Sequence, residues 1–175
     1  MEREINCRIQ SGWKAWRELT SVLCDKKMPV KLKGKVYKTA VRPAMLYGME
    51  TLPVKKANET RMNVTEMRML RWMCGVTKKD RIRNEYVRGS AKVTELSKKI
   101  QETRLRWYGH VMRRENDYLG REVMGMDVPG RQRRRRPKRR WRDCIGEDMR
   151  EKNLLEHLVQ DRARWRRLTM NTDPI

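Results

Sequence analysis

The chain has 175 residues, 38% of them hydrophobic and 38% charged, and a formal net charge of +22. Its length suffices for one or two compact domains with a modest core, and its composition lies between an ordinary globular domain and a disordered basic protein. Cys7, Cys24, Cys74 and Cys144 are far apart and form no C-x-x-C pair, no stretch approaches the ~18 apolar residues of a membrane span, and the first residues form no signal-peptide core. An intracellular, nuclear protein without a membrane partner is therefore expected.

Ile5, Ile9, Trp13, Trp16, Leu19 and Leu23 recur at steps of three and four, which predicts an amphipathic helix ended near Pro29. A second apolar stretch runs from Leu32 through Val36, Tyr37, Ala40 and Val41 to Pro43, before a short Leu46-Tyr47-Gly48 string. The stripe Met62, Met67, Leu70, Met73, with Asn58 as N-cap and Gly75 as stop, predicts a helix over about 57–74. Asp80 is expected to cap a short helix ending before Gly89, with Ile82, Tyr86 and Val87 turned inward. Thr94 is expected to open a long helix with Leu96, Ile100, Leu105, Tyr108, Val111 and Met112 on its apolar face. Gly109 in that helix predicts a close helix-to-helix approach.

From Glu115 to Arg136, Gly120, Gly125, Pro129 and Gly130 break the pattern, which predicts a basic, partly flexible linker from which Val123, Met126 and Val128 dock on the body. Pro137 suits the first turn of a new helix carrying Trp141, Ile145 and Met149 on one face. A last apolar set is Leu154, Leu155, Leu158, Trp165 and Leu168, and 171–175 is expected to fray. The fold class is thus mainly α: an irregular helical bundle in which 1–114 is one helical region, 115–136 the linker and 137–175 a segment of short helices.

The peak of charge is Arg131–Arg142, RQRRRRPKRRWR, with nine basic residues in twelve and no acidic one; without it the other 163 residues still carry +13. Such a run repels itself and is most stable against a polyanion, where each neutralised phosphate releases a condensed counterion. A charge run is also often a solvated tail or a nuclear-import signal, and both are compatible with binding nucleic acid. Most tryptophans lie among cations, an arrangement that can stack on bases while the charges hold phosphates. The helical stripes nevertheless assign Trp13, Trp16 and Trp165 to the core and leave Trp107 and Trp141 divided between core and stacking.

Catalytic groups are harder to find. Two-metal phosphoryl transfer needs convergent carboxylates, and Glu147 and Asp148, adjacent on one helix, diverge. No G-x-x-x-x-G-K-[ST] loop occurs. Cys74, His110, Cys144 and His157 lack the short paired spacings of a zinc site. No cofactor, metal or catalytic residue is expected.

Five strings in order, CDKKMPVKLKGKVYKTAVRPAMLYGME (24–50), EMRMLRWMCGVTKKDRIRNEYVR (66–88), RLRWYGHVMRR (104–114), RPKRRW (136–141) and DRARW (161–165), together resemble the C-terminal part of reverse transcriptases from non-LTR (LINE-type) retrotransposons, particularly the RTE clade. The resemblance covers about residues 8–165. It implies the thumb and post-polymerase segment, without the upstream palm and endonuclease motifs, and contacts with template RNA, primer and target DNA. Two departures stand out: Thr51-Leu52-Pro53 replaces a Trp the family commonly has after the LYG-x-E string, and Arg135 stands where the G-R-P-K string opens with Gly. The first puts packing near Leu46–Pro53 in question; the second implies an altered turn before Pro137.

The expectation is a non-catalytic fragment gripping RNA or DNA by its phosphates, with the parent's palm as a further partner and little sequence discrimination. Arg133, Arg134, Arg136, Lys138, Arg139 and Arg140 are the leading contacts, followed by Arg104, Arg106, Arg113 and Arg114, with Trp107 and Trp141 as stacking rings. The rival is a helical protein-interaction module with a basic import segment, docking through Met62, Met67, Met69 and Met73.

Overall fold

The computed structural model describes residues 2–126 and 139–174, and every regular element among them is helical, as the mainly α expectation requires. The chain divides into two compact units, one of 1–48, 56–100 and 171–175, the other of 49–55 and 101–170. These interleave in sequence.

In the first unit lie α1 (Glu2–Glu18), α2 (Thr20–Leu23), α3 (Val30–Val36), α4 (Arg42–Leu46), α5 (Lys56–Met73), α6 (Asn84–Ala91) and the first residues of α7 (Leu96–Met112). Helix α1 packs on α4 and α5, and α6 packs on α3 and α5. Ile5, Trp16, Leu23, Tyr37, Met45, Met62, Met69 and Leu70 are at most 1% exposed, so methionine fills the volume that phenylalanine fills elsewhere. Gly34 of α3 lies against the backbone carbonyl of Ala91 in α6, so closely that a Cβ there would overlap it.

The segment expected as one stretch up to Pro43 is interrupted by a π-helical turn, Tyr37–Val41. Pro43 has no N–H for the carbonyl four residues back, and a locally widened turn ahead of it accommodates the missing bond. The wider turn has a second effect. Five residues apart in an α-helix, Tyr37 and Arg42 would lie about 140° apart; across the π turn both point inward and reach Glu66.

Several local expectations are corrected. The first helix breaks at Leu19 instead of running to Leu23. Asn58 is buried inside α5, not its cap. Asp80 accepts from the Thr77 amide and hydroxyl, closing a turn and lying below the ordinary carboxyl range because of those bonds; α6 starts later, runs through Gly89 and ends at Lys92 with φ 54°. Tyr86 is exposed while Val87 is buried. Residues 171–173 do not fray: Lys99 donates to the Asn171 carbonyl, Thr94 to the Thr172 carbonyl at 2.8 Å, and Arg42 and the Thr94 amide to Asp173 at 3.1 and 2.8 Å.

The second unit contains most of α7, α8 (Leu119–Gly125), α9 (Trp141–Glu151), a 3-10 turn (Glu156–Val159) and α10 (Arg162–Thr169). Its core is Leu105, Tyr108, Ile145, Met149, Leu154, Leu158, Val159 and Trp165, with Met112, Met124 and Trp141 packed against it. Helix α8 falls inside the expected linker, and it docks through Met124, whereas Val123 and Met126 are exposed and Val128 lies outside the described residues. Leu155 and Leu168 also face outward. Helix α9 begins at Trp141 because the Asp143 carboxylate accepts from the Arg140 amide at 2.7 Å; Pro137 is outside the described residues. Near the altered Thr51-Leu52-Pro53 string, Met49 and Val54 are fully buried and the Trp141 indole donates to the Glu50 carbonyl at 2.7 Å.

The approach expected at Gly109 is present. Trp165 of α10 lies over it, at a distance that leaves no room for a Cβ, and donates its indole N–H to the Leu105 carbonyl at 3.0 Å. That one contact anchors α10 on α7.

Candidate nucleic-acid interface

The basic side chains separate into a buried set and an exposed set, and this separation decides which of them a phosphate can reach. In the first unit Glu66 is fully buried and accepts from the Tyr37 hydroxyl and the Leu96 amide, each at 3.0 Å, and from Arg88; Arg42 lies 3.9 Å away. Burial, and then the Glu66 charge, pushes the Tyr37 hydroxyl well above its ordinary range, so it stays a donor. Arg42 also bonds the Thr94 carbonyl at 2.8 Å and Asp173. Tyr37, Arg42, Glu66 and Arg88 fall in the segments 24–50 and 66–88, and they form a structural network.

Arg104 belongs to the buried set of the second unit. It is 2% exposed and grips Asp148 through Nε and Nη2, the latter at 3.0 Å, while Gln101 donates to Glu151 at 3.0 Å beside it. Burial raises the Asp148 carboxyl and the Arg104 contacts only partly offset it. Arg104 therefore drops out of the phosphate-contact set. Glu147, by contrast, faces away from Asp148 and pairs with Arg139 at 2.7 Å, so the two carboxylates diverge as expected.

Of the leading contacts, Arg133, Arg134, Arg136 and Lys138 lie outside the described residues. Arg139 is half-buried, donating to Cys144 Sγ at 3.0 Å and to Glu147, and Arg140 is exposed at the start of α9. The Cys144 thiol is pushed up by burial, against the pull of Arg139. Arg106 is exposed on α7 and Arg114 is exposed just beyond its end, 5.9 Å over the Tyr118 ring. Arg113 donates to the Val159 carbonyl at 2.9 Å, and partial burial, then the neighbouring Arg162 charge, pushes it below its ordinary value.

Trp141 is half-buried, tilted against Tyr108 at 6.4 Å and hydrogen-bonded to Glu50, which makes it a packing residue. Trp107 is 37% exposed and stacked on His110. As the stripes require, Trp16 and Trp165 are core, 1% and 2% exposed; Trp13 is half-buried, edge-on to both Trp16 and Trp72.

Four arginines not singled out from the sequence are exposed as well. On α10, Arg162, Arg164, Arg166 and Arg167 all face solvent around the buried Trp165 and Thr169, and none has a side-chain hydrogen bond or ion pair among the described residues. At 100° per residue, Arg162 and Arg166 share one flank of Trp165 and Arg164 and Arg167 the other. The signal was present in RARWRR, where the ring marks the inner side. Arg113, in the turn after α7, and Arg162 of α10 are like charges that act on each other, a place where an anion would relieve repulsion.

Metal chemistry finds no such gathering: among the described residues no three His, Cys, Asp or Glu side chains converge on one point. No helix among them is long and apolar enough to cross a membrane.

No family model matches the chain, and no solved structure matches it. It is similar to F52C9.6, a Caenorhabditis elegans protein whose name describes it as transposon-derived, with 29% identity over 120 residues. The match covers 65% of this chain and 42% of that protein, so the chain spans less than half the length of its relative. Its relative is thus one named for a transposon origin.

Proposed function

We propose that this chain is a non-catalytic, thumb and post-polymerase portion of an RTE-like retrotransposon reverse transcriptase, and that it holds RNA or DNA by the backbone phosphates. The observation that carries the reading is α10: four solvent-facing arginines on the two flanks of the buried Trp165, with the charge of Arg162 acting on Arg113 in the turn after α7. Five ordered strings and a transposon-derived relative support the origin. In this reading the chain contributes grip, with Arg106, Arg114 and Arg140 as further contacts and the sequence 131–138 adding cationic charge, the bond-making groups belong to an upstream palm, and the protein works in the nucleus.

The rival docking face is weakened by burial, since Met62, Met67, Met69 and Met73 are at most 8% exposed. The test is titration of a labelled oligonucleotide at several salt concentrations. Changing Arg162, Arg164, Arg166 and Arg167 together to Gln should lower affinity for unrelated sequences about equally. It should also reduce the log–log salt slope by roughly one unit for each phosphate that is no longer neutralised. Unchanged affinity and slope would remove α10 from the interface, and a strongly sequence-dependent loss would point to base readout instead.

A further inference from the structure

Among the exposed rings, Trp107 is the one on α7 next to Arg106, and the phosphate reading does not use it. Trp107 lies on α7 between Arg106 and the inward-facing Tyr108, and it is 37% exposed where Leu105 and Tyr108 are 0% and 7%. One turn on, His110 stacks against it, with ring centroids 5.4 Å apart and planes at 21°. This contact orients the indole without covering it. Arg106 precedes it, exposed and without a side-chain partner among the described residues, and Arg114 follows two turns later. Arg106 and His110 lie four apart along one flank of α7, and Arg113, in the turn after the helix, leads to Arg162 on α10.

A flat ring, already oriented and bordered by cations, is poorly suited to an apolar protein partner, which would have to bury the Arg106 guanidinium along with it and find it no counter-charge. A nucleobase suits it, because the base offers a π-face to the ring and arrives with its own phosphates for the arginines. The pairing of stacking ring and phosphate-binding cations is also how single strands are held without sequence preference. A base inside a duplex has both faces occupied by its neighbours.

We infer that Trp107, held by His110, is a stacking position for an unpaired nucleobase, so that the strand taken by α7 and α10 is single-stranded at that point. This rests on the phosphate-binding reading and adds to it a substrate class: a single strand or a junction, in preference to continuous duplex.

The experiment compares binding of a labelled single strand and of a blunt duplex of equal length to the full chain, across one series of salt concentrations used for both substrates. Wild type should prefer the single strand. Trp107→Leu should weaken the single strand by about 5- to 150-fold and leave the duplex within about twofold, with the salt slope unchanged because no charge is removed. Trp107→Phe should keep most of the single-strand affinity, and thermal melting of both variants should match wild type, since the ring is exposed. Equal losses on both substrates, or none, would overturn the stacking assignment while leaving phosphate binding intact. The α10 glutamine variant separates the two: it should weaken both substrates alike, and a wild type that binds neither would overturn both readings.

Discussion

Glu66, Arg104 and Asp148 are ionisable side chains on helical stripes that are otherwise apolar. Met62 and Leu70 flank Glu66 one turn to either side, Ile100 and Tyr108 flank Arg104, and Ile145 and Met149 adjoin Asp148. A charge at such a position goes inward with its stripe and must meet a partner there, since an unpaired buried charge is costly. Removing one partner leaves that cost unopposed. Glu66→Ala should therefore destabilise the first unit by about 3–5 kcal/mol, read as a lower midpoint in urea denaturation; a midpoint within error of wild type would mean that Arg42 and Arg88 are re-solvated at no cost. Gly34 is limited by space instead of charge. Gly34→Ala puts a methyl group on the Ala91 carbonyl, a backbone atom that cannot swing aside, so a loss of about 1–3 kcal/mol is expected in the same measurement.

At the scale of elements, the segment 171–174 behaves as a strap on the first unit. Burial alone would raise the Asp173 carboxyl, but the Thr94 amide, Arg42 and Lys38 more than reverse this and hold it below its ordinary value of 3.8. A carboxyl depressed in the folded state adds stability above the unfolded value and loses it as pH falls through the folded one. Acidification below about 4 should therefore release the strap, read as faster hydrogen exchange at the Thr94 amide, and Asp173→Asn should abolish that pH dependence. An unaltered profile in the variant would assign the strap's hold to Asn171 and Thr172. Helix α10 illustrates the opposite arrangement, a short helix held mainly by one tryptophan over one glycine. Gly109→Ala would displace the indole from its seat and should loosen α10, lowering oligonucleotide affinity while every arginine is retained. Unchanged affinity in a folded Gly109→Ala protein would mean that the orientation of α10 is irrelevant to binding.

For the whole molecule, net charge dominates what can be said about partners. A surplus of +22 over 175 residues favours association with polyanions at any orientation, so low-salt binding alone discriminates little; the salt slope and its response to named substitutions carry the information. Periodicity was enough to recover the mainly α class, the stripes of α1, α5, α7 and α9, the core roles of Trp16 and Trp165 and the close approach at Gly109. It was not enough for Asn58, Asp80 or α8, where short polar side chains and isolated glycines suit a helix end, a turn or a helix interior nearly equally. The division into units was likewise out of reach, because residues 49–55 and 171–174 are assigned by contacts with distant parts of the chain.

What the amino-acid order determined by itself is which residues are cationic and which faces are apolar, since those depend on spacing along one segment. The stripe of α7 turns Arg104 inward and leaves Arg106, two positions on, exposed. What only the tertiary structure decided is the partner that Arg104 meets there: Asp148 is brought by another helix, and no pattern within α7 contains it.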